Sequence, residues 1–169
     1  VKFPLKFDTG IMRGRFNPGD GQLYLAGLVV WQSNGRRQGG FQRVRYTGQP
    51  VQAPLQMHVR KNGIEIQFGV ALDAAAANDI QNYDIEQWNY KWTEAYGSPD
   101  FSVSEPARKG HDKVLMISAK LRADRKTVFL EIPDLQPVMQ MKIKCHIKAT
   151  DGTPVGAEIF NTINKVPAS

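Results

Sequence analysis

The strongest constraint on the fold is a run of strict alternation near the C-terminus of the chain. Within the predicted strand over residues 138–149, apolar and polar side chains alternate at every position from Met139 onward. The apolar positions are Met139, Met141, Ile143, Cys145 and Ile147, and the polar ones are Gln140, Lys142, Lys144, His146 and Lys148. Successive side chains of a strand point to opposite faces, so the pattern predicts an antiparallel strand with one buried and one wet face.

Shorter segments with the same period occur along most of the chain. The dipeptide Asn62-Gly63 predicts a hairpin, because it accepts positive φ at both central positions of a tight turn. A short helical turn is expected after Asp73, and inward-facing positions are expected at Leu115 and Ile117. Many short strands, frequent turns and little helix predict an all-β fold, an antiparallel immunoglobulin-like β-sandwich.

A proline-bearing stretch divides the pattern in two. We predict a three-stranded β-meander over residues 1–48, a linker over 49–54, and the sandwich over 55–169, with the meander packed on it. The meander strands are expected at 11–16, 22–31 and 39–46, with a turn at Asn34-Gly35. A chain of 169 residues suits one domain with a small appendage.

Several sequence motifs resemble those of a known group of proteins. Residues 55–163 resemble bacterial immunoglobulin-like domains, through the hairpin at Asn62-Gly63 and the turn at Asp151-Gly152. More specific sequence motifs occur at residues 12–18, 20–24, 39–46, 86–92, 96–98 and 135–142. Together they are similar to the C-terminal region of large exported multidomain proteins of planctomycete-type bacteria, which join a sugar-dehydrogenase-like propeller to haem-binding cytochrome-like domains.

The resemblance implies that residues 1–48 form the last blade of a propeller, and that the sandwich follows it. It also implies an extracellular or periplasmic location. A haem attachment motif of the Cys-x-x-Cys-His type does not occur in this sequence, so no redox residue is carried over. Neither a haem nor any other cofactor is expected here.

Charge and cysteine content limit the classes of partner. Lys and Arg number 22 against 16 Asp and Glu, which favours polyanions or acidic glycans. Without a long basic run or a nucleic-acid fingerprint, nucleic acid is not an expected partner, and the lack of an 18-residue apolar run argues against membrane insertion. Cys145 is the single cysteine and the three histidines lack zinc spacing, so no metal site is expected.

The candidate ligand-binding residues are aromatic. Trp88, Tyr90 and Trp92 are spaced two apart within a predicted strand over residues 83–92, which aligns their rings in a row on one face with steps of ~6.6–6.8 Å. Aromatic rings stack on the apolar faces of sugars, so the row predicts a glycan site, with Tyr96 and Phe101 as its walls. The alternative is that the meander covers these rings as interior packing.

Lys142 and Lys144 form a second candidate surface, for a sulfated or carboxylated polymer. A solvated strand face is the alternative explanation of these lysines.

These features predict a non-catalytic accessory domain that binds polysaccharide, neutral or anionic, or neighbouring domains of the same polypeptide. One alternative is a structural fragment of a propeller and haem electron-transfer protein, without a ligand of its own. Another is a small β-rich glycan hydrolase using Glu86 and Glu94 as its carboxylate pair. A hydrolase built on His111-Asp112 lacks the nucleophile elbow that such enzymes need.

Overall fold

The computed structural model describes residues 5–29 and 35–168 and is nearly all β, with 45% strand and 5% helix. All strand pairs are antiparallel, and they form three sheets. The prediction of an all-β antiparallel chain is confirmed. The described residues divide into two compact units, one up to Gln49 and the other from Pro50 onward. Within the described ranges, no helix has the length and apolar character that crossing a membrane requires.

The first unit is a three-stranded sheet with strands in chain order. Its strands are β1 (Arg13–Phe16), β2 (Leu23–Leu28) and β3 (Gly39–Val44). The turn between β1 and β2 closes where the Gly21 amide donates to the carbonyl of Asn17 at 2.8 Å. Three strands were expected here; the predicted end of the second at Trp31 and the start of the turn at Asn34 lie outside the described residues.

The second unit contains two four-stranded sheets and one short helix. One sheet has the order β4-β5-β9-β8 and the other β11-β10-β6-β7. The elements are β4 (Pro54–Arg60), β5 (Gly63–Phe68), α1 (Ala74–Asn78), β6 (Tyr83–Trp88), β7 (Asp112–Lys113), β8 (Ser118–Leu121), β9 (Thr127–Glu131), β10 (Val138–Lys148) and β11 (Pro154–Ile163). As predicted, Asp73 caps α1, accepting a hydrogen bond from the Ala76 amide at 2.9 Å.

A single hydrophobic core joins these two sheets. Ile66 of β5 and Leu130 of β9 are buried in one cluster with Ile143 and Cys145 of β10. Each sheet therefore buries one face against the other, which gives a sandwich-like unit. Burial raises the pKa of the Cys145 thiol to about 12, so this cysteine is a packing residue and not a nucleophile.

The hairpin between β4 and β5 is confirmed, but its turn is shifted by one residue. Arg60 pairs with Gly63, so the turn residues are Lys61 and Asn62, and Gly63 is already the first residue of β5. A Cβ at Gly63 would lie 2.2 Å from the Leu130 carbonyl oxygen. Close strand packing, rather than positive φ, therefore explains this glycine.

Two predicted alternations break where strands begin. An irregularity between Val138 and Met141 buries both of these residues and leaves Met139 exposed, contrary to its predicted inward position. Leu115 and Ile117 are also exposed, because β8 begins only at Ser118. In both places the side chains precede regular pairing, so strand alternation does not apply to them.

Candidate functional site: an aromatic cleft beside the end of strand β6

The predicted strand over residues 83–92 is wrong beyond Trp88, where β6 ends. Asn89 exchanges two backbone hydrogen bonds with Phe101, at 2.8 and 2.9 Å, and the chain then leaves the sheet. As a result the three rings do not form one row. Trp88 is 5% exposed, Tyr90 40% and Trp92 92%.

Trp88 is a buried packing residue of this region and does not offer an open ring to a ligand. The imidazole of His111 lies flat on its indole, with ring centroids 3.9 Å apart and 7° between the planes. The indole Nε1 donates a hydrogen bond to the Tyr90 hydroxyl at 3.1 Å. Trp88 therefore links the sheet, the loop that carries His111 and the segment that carries Tyr90.

His111 is held between two carboxylates. Its Nε2 lies 2.7 Å from Asp100 Oδ2, and its Nδ1 lies 3.3 Å from Glu86 Oε2. A neutral imidazole has one N–H, so both contacts are hydrogen bonds only when the ring is protonated. The ring therefore connects the loop to β6 through contacts at both of its nitrogen atoms.

Glu86 is the hub of the charged groups on this face. Its carboxylate contacts Lys142 Nζ at 2.5 Å and Lys113 Nζ at 3.0 Å, in addition to His111. The hydrogen bond from Lys142, followed by that from Lys113, lowers the pKa of Glu86 to about 2. A general acid for glycoside hydrolysis needs a raised pKa, so Glu86 is unsuited to that role. Its predicted partner Glu94 lies exposed on the loop after β6.

The predicted lysine surface is largely neutralised by the neighbouring strands. The Lys142 side chain is only 16% exposed and is paired with Glu86. Lys144 is half-buried and lies opposite Asp84 of β6 and Glu158 of β11. The alternation predicted that both lysines face water. Instead, Lys142 forms a cross-strand ion pair, and Lys144 is flanked by two carboxylates.

An open cleft follows Trp88 in the chain. Its volume is about 530 Å³, and its lining includes Tyr90, Lys91, Trp92, Tyr96, Ser98 and Met139. Trp92 and Tyr96 are 92% and 96% exposed. The cleft therefore offers broad, solvent-facing aromatic surface in one place.

Hydrogen bonds from remote residues hold the cleft in shape. The Lys91 amide donates to Ser98 Oγ at 3.0 Å, and the Tyr90 amide donates to Met139 Sδ at 3.1 Å. The Met139 amide in turn donates to Asn89 Oδ1 at 2.9 Å. Sequence reasoning missed Ser98 and Met139, because Met139 reaches the cleft only through the irregular start of β10.

Phe101, predicted as a wall of the site, is absent from the cleft lining. It is partly buried, and the Lys91 ammonium lies over its ring at 4.2 Å from the centroid. This cation–π contact fixes the stem of the loop rather than a ligand.

Asp112 organises the long loop and does not act with His111. Its carboxylate accepts hydrogen bonds from the Val103 and Ser104 amides at 2.7 and 2.9 Å, and from Arg108. Burial raises the pKa of Asp112, but hydrogen bonds from Ser102, Ser104 and Val103 outweigh it and hold the pKa at about 2. The side chain is thus an ionised anchor of the loop.

The fold and the cleft together define an all-β protein whose sandwich-like unit carries an open aromatic site. In the described parts of the chain, no group of three His, Cys, Asp or Glu side chains could hold a metal ion. Comparison with protein-family models, with curated proteins and with solved structures yields no match.

Proposed function

We propose that this chain is a non-catalytic accessory module that binds carbohydrate through Tyr90, Trp92 and Tyr96. The observation that carries the proposal is the near-complete exposure of Trp92 and Tyr96 around one open cleft. Exposed apolar surface of this kind is typical of recognition sites. Tyrosine and tryptophan suit sugars, since their flat rings contact C–H faces while the hydroxyl and indole N–H donate hydrogen bonds.

The proposal includes an immunoglobulin-like identity for the second unit. The order β4-β5-β9-β8 matches the A-B-E-D sheet of that fold when its strands are lettered along the chain. The order β11-β10-β6 matches its G-F-C sheet, with β7 as an added edge strand. Together with the resemblance of residues 12–18, 39–46 and 86–92, this strand order supports an exported, extracellular or periplasmic parent protein.

Affinity electrophoresis against soluble neutral glycans tests the binding claim. A gel containing xylan, glucomannan or mixed-linkage β-glucan should retard the chain, and Trp92→Ala or Tyr96→Ala should weaken binding about tenfold or more, since each removes a large exposed ring. Tyr46→Ala is the matched control, because it removes an exposed tyrosine from the first unit. Unchanged mobility on every glycan, or equal retardation of all variants, would reject the proposal.

Fluorescence separates this proposal from a ligand-free structural role. In a Trp31→Phe background, acrylamide should quench Trp92 strongly and Trp88 weakly, in line with their exposure. A binding glycan should then protect the quenchable component, which Trp92→Phe removes. A structural fragment without a ligand would show the same quenching with and without each glycan.

A further inference from the structure

The net charge of the chain lies in its first part. Residues 1–49 contain eight Lys or Arg and two Asp, whereas residues 50–169 contain fourteen basic and fourteen acidic side chains. The entire formal charge of +6 therefore belongs to the segment that includes the three-stranded sheet. A concentrated positive field of this kind attracts anionic polymers.

Strand register gathers this charge on one face of the sheet. Arg15, Tyr24 and Arg43 stand directly opposite one another on β1, β2 and β3. The adjacent row places Arg13 and Phe41 on either side of Ala26. Side chains in register share a face, so these residues form one surface, which we call the arginine face. Its members are Arg13, Arg15, Tyr24, Phe41 and Arg43.

The other face of the same sheet is already covered. Thr9 Oγ1 accepts a hydrogen bond from Gln42 Nε2 at 3.1 Å, and Leu25 is buried there. A Cβ at Gly27 would lie 1.6 Å from the Gly10 carbonyl oxygen, so the backbone crosses this face in direct contact. The arginine face is left as the solvent-facing side of the sheet, with all three arginines exposed.

Within the described residues, Arg15 and Arg43 make no side-chain hydrogen bond or salt bridge, and Arg13 donates only to the Met12 carbonyl oxygen, at 2.9 Å. Arg13, Arg15 and Arg43 take part in no salt bridge there, whereas Glu86, Glu65 and Glu131 neutralise cations of the second unit. Asp20 accepts hydrogen bonds from the Gln22 amide at 2.9 Å and the Tyr24 hydroxyl at 2.8 Å. These two bonds, and to a smaller extent the charge of Arg43, lower the pKa of Asp20. The guanidinium groups thus keep most of their N–H donors available for an external anion.

The two rings of the face complete a site for a sugar. Tyr24 and Phe41 stack with centroids 5.6 Å apart and 26° between their planes, and Phe41 is 70% exposed. Because the rings stack on each other, they offer one open aromatic platform beside the arginines. A single-stranded nucleic acid needs successive platforms for successive bases, which this face lacks.

We propose that the arginine face binds an anionic polysaccharide with carboxylate or sulfate groups. Arginine forks bind such groups through two parallel hydrogen bonds, while Phe41 packs against the sugar ring between them. Arg15 and Arg43 lie two strand spacings apart, roughly 9.6 Å between backbones, which is close to the length of two linked sugar rings. This site is separate from the cleft of the second unit and does not depend on it.

Titration calorimetry on the full chain at low salt tests the proposal, with four polymers as probes. Polygalacturonate has both negative charge and sugar rings, whereas dextran has sugar rings without charge. Polyphosphate has negative charge without rings, and oligo-dT has negative charge together with bases. We expect polygalacturonate to bind most tightly. The double variant Arg15→Ala/Arg43→Ala should weaken it by roughly tenfold for each arginine, and Phe41→Ala should weaken polygalacturonate but not polyphosphate.

Two controls make the result specific. Lys61→Ala/Lys165→Ala removes the same charge from exposed positions of the second unit and should leave binding intact. Trp92→Ala should also leave it intact, which keeps this site distinct from the proposed glycan cleft. Circular dichroism checks that each variant retains its β structure.

Four outcomes would overturn the proposal. Equal binding of polygalacturonate and polyphosphate, both insensitive to Phe41→Ala, would indicate charge attraction alone. Tighter binding of oligo-dT that depends on Phe41 would indicate a nucleic-acid surface. Loss of binding in Trp92→Ala, with the arginine variant unaffected, would assign the polymer to the cleft. Absence of binding at low salt would leave the face without this ligand.

Discussion

The two units of this chain use charge and apolar surface in opposite ways. In the sandwich-like unit, both sheets bury one face in a common core, and carboxylates such as Glu86 and Glu65 neutralise two cations each. In the three-stranded sheet, one face is covered by its own chain, and the other presents arginines that form no salt bridge with any described residue, beside an exposed ring. Satisfied groups stabilise a scaffold, and unsatisfied groups are available for a ligand.

The same contrast occurs within the second unit, over five residues. Trp88 is stacked on His111 and hydrogen-bonded to Tyr90, whereas Trp92 contributes an open ring to the cleft. Of two tryptophans four positions apart, Trp88 is therefore a packing residue and Trp92 is exposed to solvent. The difference arises at Asn89, where the chain exchanges a strand partner for a loop partner.

The largest expected effect concerns the core of the second unit. Phe68 is fully buried between the sheets, so Phe68→Ala should lower the free energy of unfolding by about 3–5 kcal/mol. Urea titration followed by circular dichroism measures the loss. Leu55→Ala, at an exposed position of β4, is the control and should change stability by less than about 0.5 kcal/mol. Equal effects of the two variants would contradict a common core.

Acid should destabilise the charge-paired unit next most strongly. The pKa values of Glu86 and Asp112 are both about 2 in the folded chain, below their unfolded values of 4.5 and 3.8. A carboxyl with a lowered folded pKa stabilises the fold above its unfolded pKa, and this stability is lost as pH falls toward 2. We expect a loss of about 1–3 kcal/mol from Glu86 between pH 5 and pH 2.

Urea titrations at a series of pH values measure this effect. Glu86→Gln is the diagnostic variant, because its stability should be lower at pH 7 and should fall less steeply in acid. If the free energy of unfolding of the variant fell with pH as steeply as that of the wild type, other carboxylates would control the acid response.

The smallest effects should come from single cations, and they should differ between the units. Lys142→Ala removes a mostly buried partner of Glu86 and should cost about 1 kcal/mol or more. Arg43→Ala removes an exposed cation of the arginine face that forms no salt bridge in the described part of the chain, and it should leave the melting temperature unchanged. Differential scanning calorimetry compares the two. A destabilised Arg43→Ala would indicate that this arginine has a structural partner and would weaken the proposal for its face.

Much of the fold follows from local pattern. The alternation of β10 predicts buried Met141, Ile143 and Cys145, and all three lie in the core. The short helix after Asp73 follows from its cap in the same way. These features depend on side-chain period and on local hydrogen bonds, both of which are readable within a few residues.

The candidate site could be predicted only in part. The aromatic residues are visible in the sequence, but a period of two predicted one row where the chain leaves the sheet after Trp88. Strand β6 ends at Trp88 because the next residue, Asn89, pairs with Phe101. Met139 is exposed because the start of β10 is irregular. Neither event has a signal in the residues around Trp88.

The sequence by itself determined the strand pattern and the location of the net charge in residues 1–49, because both follow from residue order alone. Tertiary structure decided which rings face water and which cations find partners. Lys142 is neutralised by Glu86 on a neighbouring strand, 56 positions away, while Arg15 and Arg43 meet Tyr24 instead. Burial and pairing are set by strands brought together across long stretches of chain, and local periodicity contains no record of those neighbours.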